Sequence, residues 1–255
     1  MKVQDVYGII DAFAPFDIAM EDDNSGLLIG SFGREVARVL VTLDADESAL
    51  KHARDAGCDM IVSHHPFFFR GENAITDATP QGRKILAAAK QGAAILCAHT
   101  NLDSCDGGIN DTLGKLLGLT ATGRFLPTQG GGMLGRIGTH RFESKEAFLS
   151  HAARVLHVRP RYRFTNGAFE NIAWVSGSGA FAMRDAVKAG ADTLVTGDVK
   201  YSAFMDAAEL GVNVIDLGHF ETEQIIVPVI AKLLKENGVQ VTEHIVPSPI
   251  AIWEK

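Results

Sequence analysis

The chain has 255 residues, enough for one large domain or two of ordinary size, and its 46% hydrophobic and 22% charged content excludes a disordered polymer. Lys and Arg number 24 against 31 Asp and Glu, a formal charge of −7, so no broad basic field exists for a phosphate backbone and generic nucleic-acid binding is not expected. The cysteines Cys58, Cys97 and Cys105 lack C-x-x-C spacing, and Asp5, Asp11 and Asp17 interrupt the place of an apolar leader; both features point to a mature cytoplasmic protein.

Val3, Val6, Ile10 and Phe13 recur at helical spacing, and Pro15 predicts the stop. Leu27 to Ile29 and Val39 to Leu43 read as strands joined by a hairpin or tight loop around Ser31-Phe32-Gly33-Arg34. Helices are then expected at Ser48 to Ala56, Gln81 to Gln91 and Ile109 to Leu117, alternating with strands at Met60 to Val62 and Ala93 to Ala98. Pro127 and Gly130-Gly131-Gly132 mark Phe125 to Gly138 as a loop or hinge. Beyond it, helices are expected at Phe181 to Ala189, Ala203 to Leu210 and Glu223 to Glu236, with strands at Thr193 to Val195 and Val212 to Ile215. The apolar stretch Ile225 to Leu234 is broken by Pro228 and Lys232 and is too short to span a bilayer.

The second half echoes the first. Ala56-Gly57-Cys58-Asp59-Met60-Ile61-Val62-Ser63 aligns with Ala189-Gly190-Ala191-Asp192-Thr193-Leu194-Val195-Thr196. Ala88-Ala89-Lys90-Gln91-Gly92 leads to His99 as Ala207-Ala208-Glu209-Leu210-Gly211 leads to His219. The expected fold is therefore α/β, two similar lobes with mixed sheets flanked by helices, residues 1–125 and 126–255, with a metal site in the cleft between them.

Polar residues gather where the apolar strands end, the usual location of sites in open α/β sheets. Ser63-His64-His65-Pro66 follows one strand, His99-Thr100-Asn101-Leu102-Asp103 the next, and His219-Phe220-Glu221-Thr222-Glu223 the matching strand of the second half. In extended backbone neighbouring side chains alternate, so His64 and His65 are expected to serve different ions. His219 and Glu223 are one helical turn apart and share a face. His64, His65, Asp103, His219 and Glu223 thus form a mixed N/O ligand set, with His99, Glu221 and Asp198 behind it. No G-x-x-x-x-G-K-[ST], G-x-S-x-G or H-E-x-x-H pattern occurs, which leaves the kinase-like, esterase and zincin readings without support.

Six segments in order resemble the NIF-three-like family, some of whose members are described as GTP cyclohydrolase I type 2. They are Asp23-Asn24-Ser25-Gly26-Leu27, Ser63 to Pro66, His99 to Asp103 with Gly107-Gly108-Ile109-Asn110, Gly135-Arg136-Ile137-Gly138, Thr196-Gly197-Asp198-Val199-Lys200-Tyr201, and Gly218 to Glu223. The resemblance implies a dinuclear centre of two divalent ions per subunit (Zn, Mn, Fe or Co) on His64, His65, Asp103, His219 and Glu223, with Glu223 bridging. It also implies a homo-oligomer, a ring of six subunits, in the family's short form. The expected activity is metal-dependent hydrolysis of a nucleotide or related heterocycle, with His99 and Glu221 moving protons or orienting the ligand; the alternative is a non-catalytic protein that binds or stores metal, or an interaction protein. Tyr201-Ser202 departs from the family pattern, where a histidine often follows the aromatic residue.

Overall fold

A computed structural model describes residues 1–251 and 253 of the chain. Helix α1 (Val3–Phe13) turns Val3, Val6 and Ile10 inward and ends before Pro15. Strand β1 (Gly26–Ile29) and strand β2 (Arg38–Thr42) follow. Of the hairpin or tight loop expected between them, the hairpin does not form: β1 pairs with the strand Ala94–Cys97, and β2 with the strands Met60–Ser63 and Gln240–His244. The connecting segment is tied to α1, Val3 N–H donating to Arg34 O at 2.9 Å and Gln4 N–H to Phe32 O at 3.0 Å. The Asp46 carboxylate caps α2 (Glu47–Asp55), and the Thr79 hydroxyl caps α3 (Pro80–Gln91), whose Pro80 suits a first turn. Between them lies β3 (Met60–Ser63); β4 (Ala94–Cys97) and the short α4 (Thr100–Ser104) come next.

The chain continues through α5 (Ile109–Leu116), β5 (Thr120–Pro127) and β6 (Met133–Thr139). What reads as a hinge around Pro127 is thus an antiparallel hairpin, β5 against β6, with Gly130 and Gly131 taking φ +57° and +85° at its tip. Then come α6 (Lys145–Leu156), β7 (Arg161–Arg163) and β8 (Ile172–Trp174). The expected Phe181 to Ala189 helix opens as a 3-10 turn and is regular only over α7 (Met183–Lys188). β9 (Thr193–Thr196), α8 (Tyr201–Leu210) and β10 (Asn213–Asp216) follow. The expected Glu223 to Glu236 helix is instead α9 (His219–Glu223), a 3-10 turn and then α10 (Val227–Glu236), with Pro228 in the first turn of α10. β11 (Gln240–His244) ends the series.

Packing groups Met1–Cys105 with Ile226–Ile245 in one unit and Asp106–Ile225 with Val246–Lys255 in the other. The reading from sequence sets 1–125 against 126–255; here α5 and β5 lie in the second unit, while α10 and β11 return to the first. The first unit holds a five-stranded sheet in the order β1-β4-β3-β2-β11, parallel except for β1 against β4. Leu40, Ile61 and Ile95 on this sheet pack with Leu50 and Ala53 of α2 and Ile85 and Ala88 of α3. The second unit holds a six-stranded sheet in the order β5-β6-β8-β9-β10-β7, with β8, β9 and β10 parallel. Its core gathers Leu113 and Leu117, Phe148, Trp174, Val195 and Ile215.

The repeat read in the sequence is visible within each unit. β3-α3-β4 and β9-α8-β10 are both parallel strand pairs joined by a helix. Gly92 and Gly211 close the two helices in the left-handed region at φ +66° and +68°. Among the described residues no helix is long and apolar enough to cross a membrane.

Candidate metal centre

In the first unit the strand ends deliver three imidazoles. β3 stops at Ser63, so His64 and His65 lie beyond it and strand alternation does not govern them. Their rings are 5.2 Å apart between centroids, and His99, just past β4, lies 5.2 Å from His64 and 5.9 Å from His65. The expectation that the two neighbouring histidines point apart is therefore corrected.

Each ring is anchored through the same atom. His64, fully buried, donates its Nδ1 hydrogen to Ala98 O at 3.0 Å. His65 Nδ1 pairs with Asp44 Oδ1 at 2.8 Å and His99 Nδ1 with Asp23 Oδ1 at 2.6 Å. A carbonyl or carboxylate on Nδ1 favours the proton there and leaves Nε2 as the nitrogen able to bind a metal or another partner, an arrangement common around histidine metal sites. Asp103, on α4, brings Oδ1 within 3.7 Å of His64 Nε2. Asp23 also accepts from Ser25 Oγ, Thr100 N and Thr100 Oγ1. Burial works against its charge, but these donors and the His99 imidazole hold its carboxyl well below the usual range. Burial likewise opposes charge on His99, and the Asp23 hydrogen bond with the nearby carboxylates overrides it, raising the imidazole above its ordinary value.

In the second unit α9 starts directly after β10, placing His219 and Glu223 on one face as the spacing predicts. His219 Nδ1 pairs with Asp198 Oδ2 at 2.7 Å, and its Nε2 lies 2.9 Å from Glu223 Oε2. The anchoring pattern of the first unit thus recurs, with a carboxylate on Nδ1 and Nε2 turned to an acidic donor. Gly177, at φ +60°, runs so close beneath that a Cβ there would collide with the Glu223 carboxylate. Its N–H donates to Thr222 Oγ1 at 3.0 Å, which ties the loop after β8 to α9. Glu221 folds over Gly218 and, with His219, Asp198, Arg159 and Arg161, lines a cavity of about 430 Å³ in this unit.

His64, His65 and Glu223 are a donor group that could hold a metal ion. Sequence reasoning selected the imidazoles and Asp198 but missed Asp44 as a partner of His65. Asp44 follows an apolar strand, as His64 and His99 do, and that position was its signal. Asp23 entered only through a motif, and nothing local marks it as the anchor of His99. Cys58, Cys97 and Cys105 are buried thiols, and Cys97 Sγ donates to His64 O at 3.0 Å.

A family model described as Duf34/NIF3 (NGG1p interacting factor 3) matches residues 1–249. A Clostridium perfringens protein named GTP cyclohydrolase 1 type 2 homolog is 33% identical over 243 residues, 93% of this chain and 92% of its own length. A Methanocaldococcus jannaschii protein of the same name is 31% identical over 227 residues, 88% of this chain and 90% of its own. Among solved structures, hypothetical protein SA1388 of Staphylococcus aureus is 25% identical with a TM-score of 0.86, over 99% of each chain. Reduced HcgD of Methanocaldococcus jannaschii is 28% identical with a TM-score of 0.82, over 95% of this chain and 97% of that one. The chain belongs to the Duf34/NIF3 family.

Proposed function

We propose that the protein is a metal-dependent hydrolase acting on a nucleotide or related heterocycle, with His64, His65, Asp103, His219 and Glu223 holding two divalent ions. The observation that supports this reading is the shared anchoring of His64, His65 and His219 through Nδ1, which leaves Nε2 of each as the candidate ligand atom. The donor group His64, His65 and Glu223 supports it, as does the name carried by the curated relatives. Mixed imidazole and carboxylate donors suit Zn, Mn, Fe or Co. Bound ions of this kind supply Lewis acidity and a water that ionises near neutral pH.

The chain's own part is to orient and to move protons. His99, hydrogen-bonded to Asp23, is the candidate proton-transfer group beside His64 and His65. Glu221, in the cavity with His219, is the candidate acceptor or orienting group. A cytoplasmic location fits three buried cysteines without a disulfide. The homohexamer is the expectation from the family resemblance, and native mass spectrometry reads that number directly.

The test measures bound metal and turnover together. Protein purified with about two ions per chain is assayed against GTP and a nucleotide panel beside His65→Ala and Glu223→Ala. The expected result is turnover by the wild type and loss of both metal and turnover in the variants. A fully loaded wild type that leaves the whole panel unchanged would sink the hydrolase reading in favour of metal storage or an interaction role.

A further inference from the structure

Beyond Pro66 the first unit places three phenylalanines in three environments. Phe67 is 2% exposed, with the Lys84 ammonium 4.9 Å from its ring centroid. Phe68 is partly buried against the same core. Phe69 is 53% exposed and stands edge-on to His99, ring centroids 6.3 Å apart at 90°. A single exposed phenylalanine is ordinary on a protein surface. This one is set apart by its address and by how firmly its backbone is held.

The segment is pinned on the side leading into Phe69. Gln81 Nε2 donates to Phe67 O at 2.7 Å, and Asn24 Nδ2 donates to Phe68 O at 2.6 Å. Asn24 adjoins Asp23, the carboxylate that anchors His99. One dipeptide, Asp23-Asn24, therefore positions both the imidazole and the chain that carries the neighbouring ring. The Phe69 ring is thus a largely exposed apolar group standing next to His99.

We propose that Phe69 is the stacking platform for a planar heteroaromatic ring of the ligand, an inference that rests on the nucleotide or heterocycle reading above. Stacking on an aromatic face tolerates any base, so the platform selects a class of ligand and leaves its identity to polar contacts. A planar ring laid on Phe69 would lie beside His99, whose ring centroid is 6.3 Å from that of Phe69. A ligand lacking such a ring gains nothing from Phe69.

The test uses the metal-containing full chain and three probes, GTP, guanosine and inorganic triphosphate, with binding followed by calorimetry. Phe69→Ala is expected to weaken GTP and guanosine about tenfold or more, to leave triphosphate unchanged and to retain the metal. Phe69→Trp is expected to restore binding. If Phe69→Ala binds GTP and guanosine as the wild type does, stacking is overturned while the nucleotide reading survives. If Phe69→Ala loses metal or triphosphate to the same degree, the ring merely supports the imidazoles and the proposal is likewise overturned. A wild type that binds neither GTP nor guanosine removes the ligand class and the platform together.

Discussion

Glycine and carboxylate positions carry the sharpest consequences at the scale of single residues. A methyl group at Gly177 has to displace the Glu223 carboxylate and would press on His219 Nε2 at 3.2 Å, and the residue's φ of +60° already disfavours a side chain. Gly177→Ala is therefore expected to weaken metal binding about tenfold or more with the fold intact, as read by competition with a chromogenic chelator. Wild-type affinity in that variant would remove Glu223 from the ligand set. Asp23 is a different case, a carboxylate 1% exposed that serves His99, Ser25 and Thr100 at once. Asp23→Ala strands these donors, and urea unfolding is expected to report a loss of about 3 kcal/mol. His64, His65 and His219 were legible in the sequence because each follows an apolar strand; Gly177 was not, since a glycine is silent about what passes beneath it until the chain is folded.

At the scale of elements, α2 and β11 meet through a histidine pair remote in sequence from the candidate ligands. His244 at the end of β11 faces His52 of α2, Nδ1 to Nδ1 at 2.8 Å, and its Nε2 lies 3.0 Å from Ser48 Oγ. Burial and then the charge of His52 depress the His244 imidazole below its ordinary value, against a smaller opposing pull from Asp46. A depressed folded-state value favours the neutral ring in the native protein. The stability it contributes is complete above the unfolded value near ~6.5 and is lost as pH falls through the folded value. The urea midpoint of the wild type should therefore fall more between pH 7.5 and 5.5, taken as about one unit either side of that unfolded value, than that of His244→Gln. Equal falls would show that the pair is uncoupled from folding. The hairpin of β5 and β6 shows where local reading stops. Its glycines suggested a hinge, yet Gly135 gives way to the Phe125 ring and Gly138 to the backbone of Thr120, so glycine here marks close approach within a sheet. Which of the two meanings applies depends on the partner strand, which composition does not reveal.

Across the whole chain, alternation of strands and helices and the internal echo were enough to read two α/β units with helices on their sheets. The return of α10 and β11 to the first sheet was not legible, because Gln240 to His244 is a half-polar edge strand whose pairing with β2 is a long-range choice. The proposed donors are likewise divided between the units: His64, His65 and Asp103 belong to the first, His219 and Glu223 to the second. A metal held only by the folded form stabilises it by RT ln(1 + [L]/Kd), about 2.7 kcal/mol at a hundredfold excess over Kd. If the proposed set acts together, that stabilisation must register in both units. Restoring Zn or Mn to chelator-stripped protein is then expected to slow amide hydrogen exchange in β3 of the first unit and in β9 and β10 of the second. Glu223→Ala should lose the effect at both places. Slowing confined to a single unit would mean that the two groups of donors bind separately, and the five-residue centre would have to be given up.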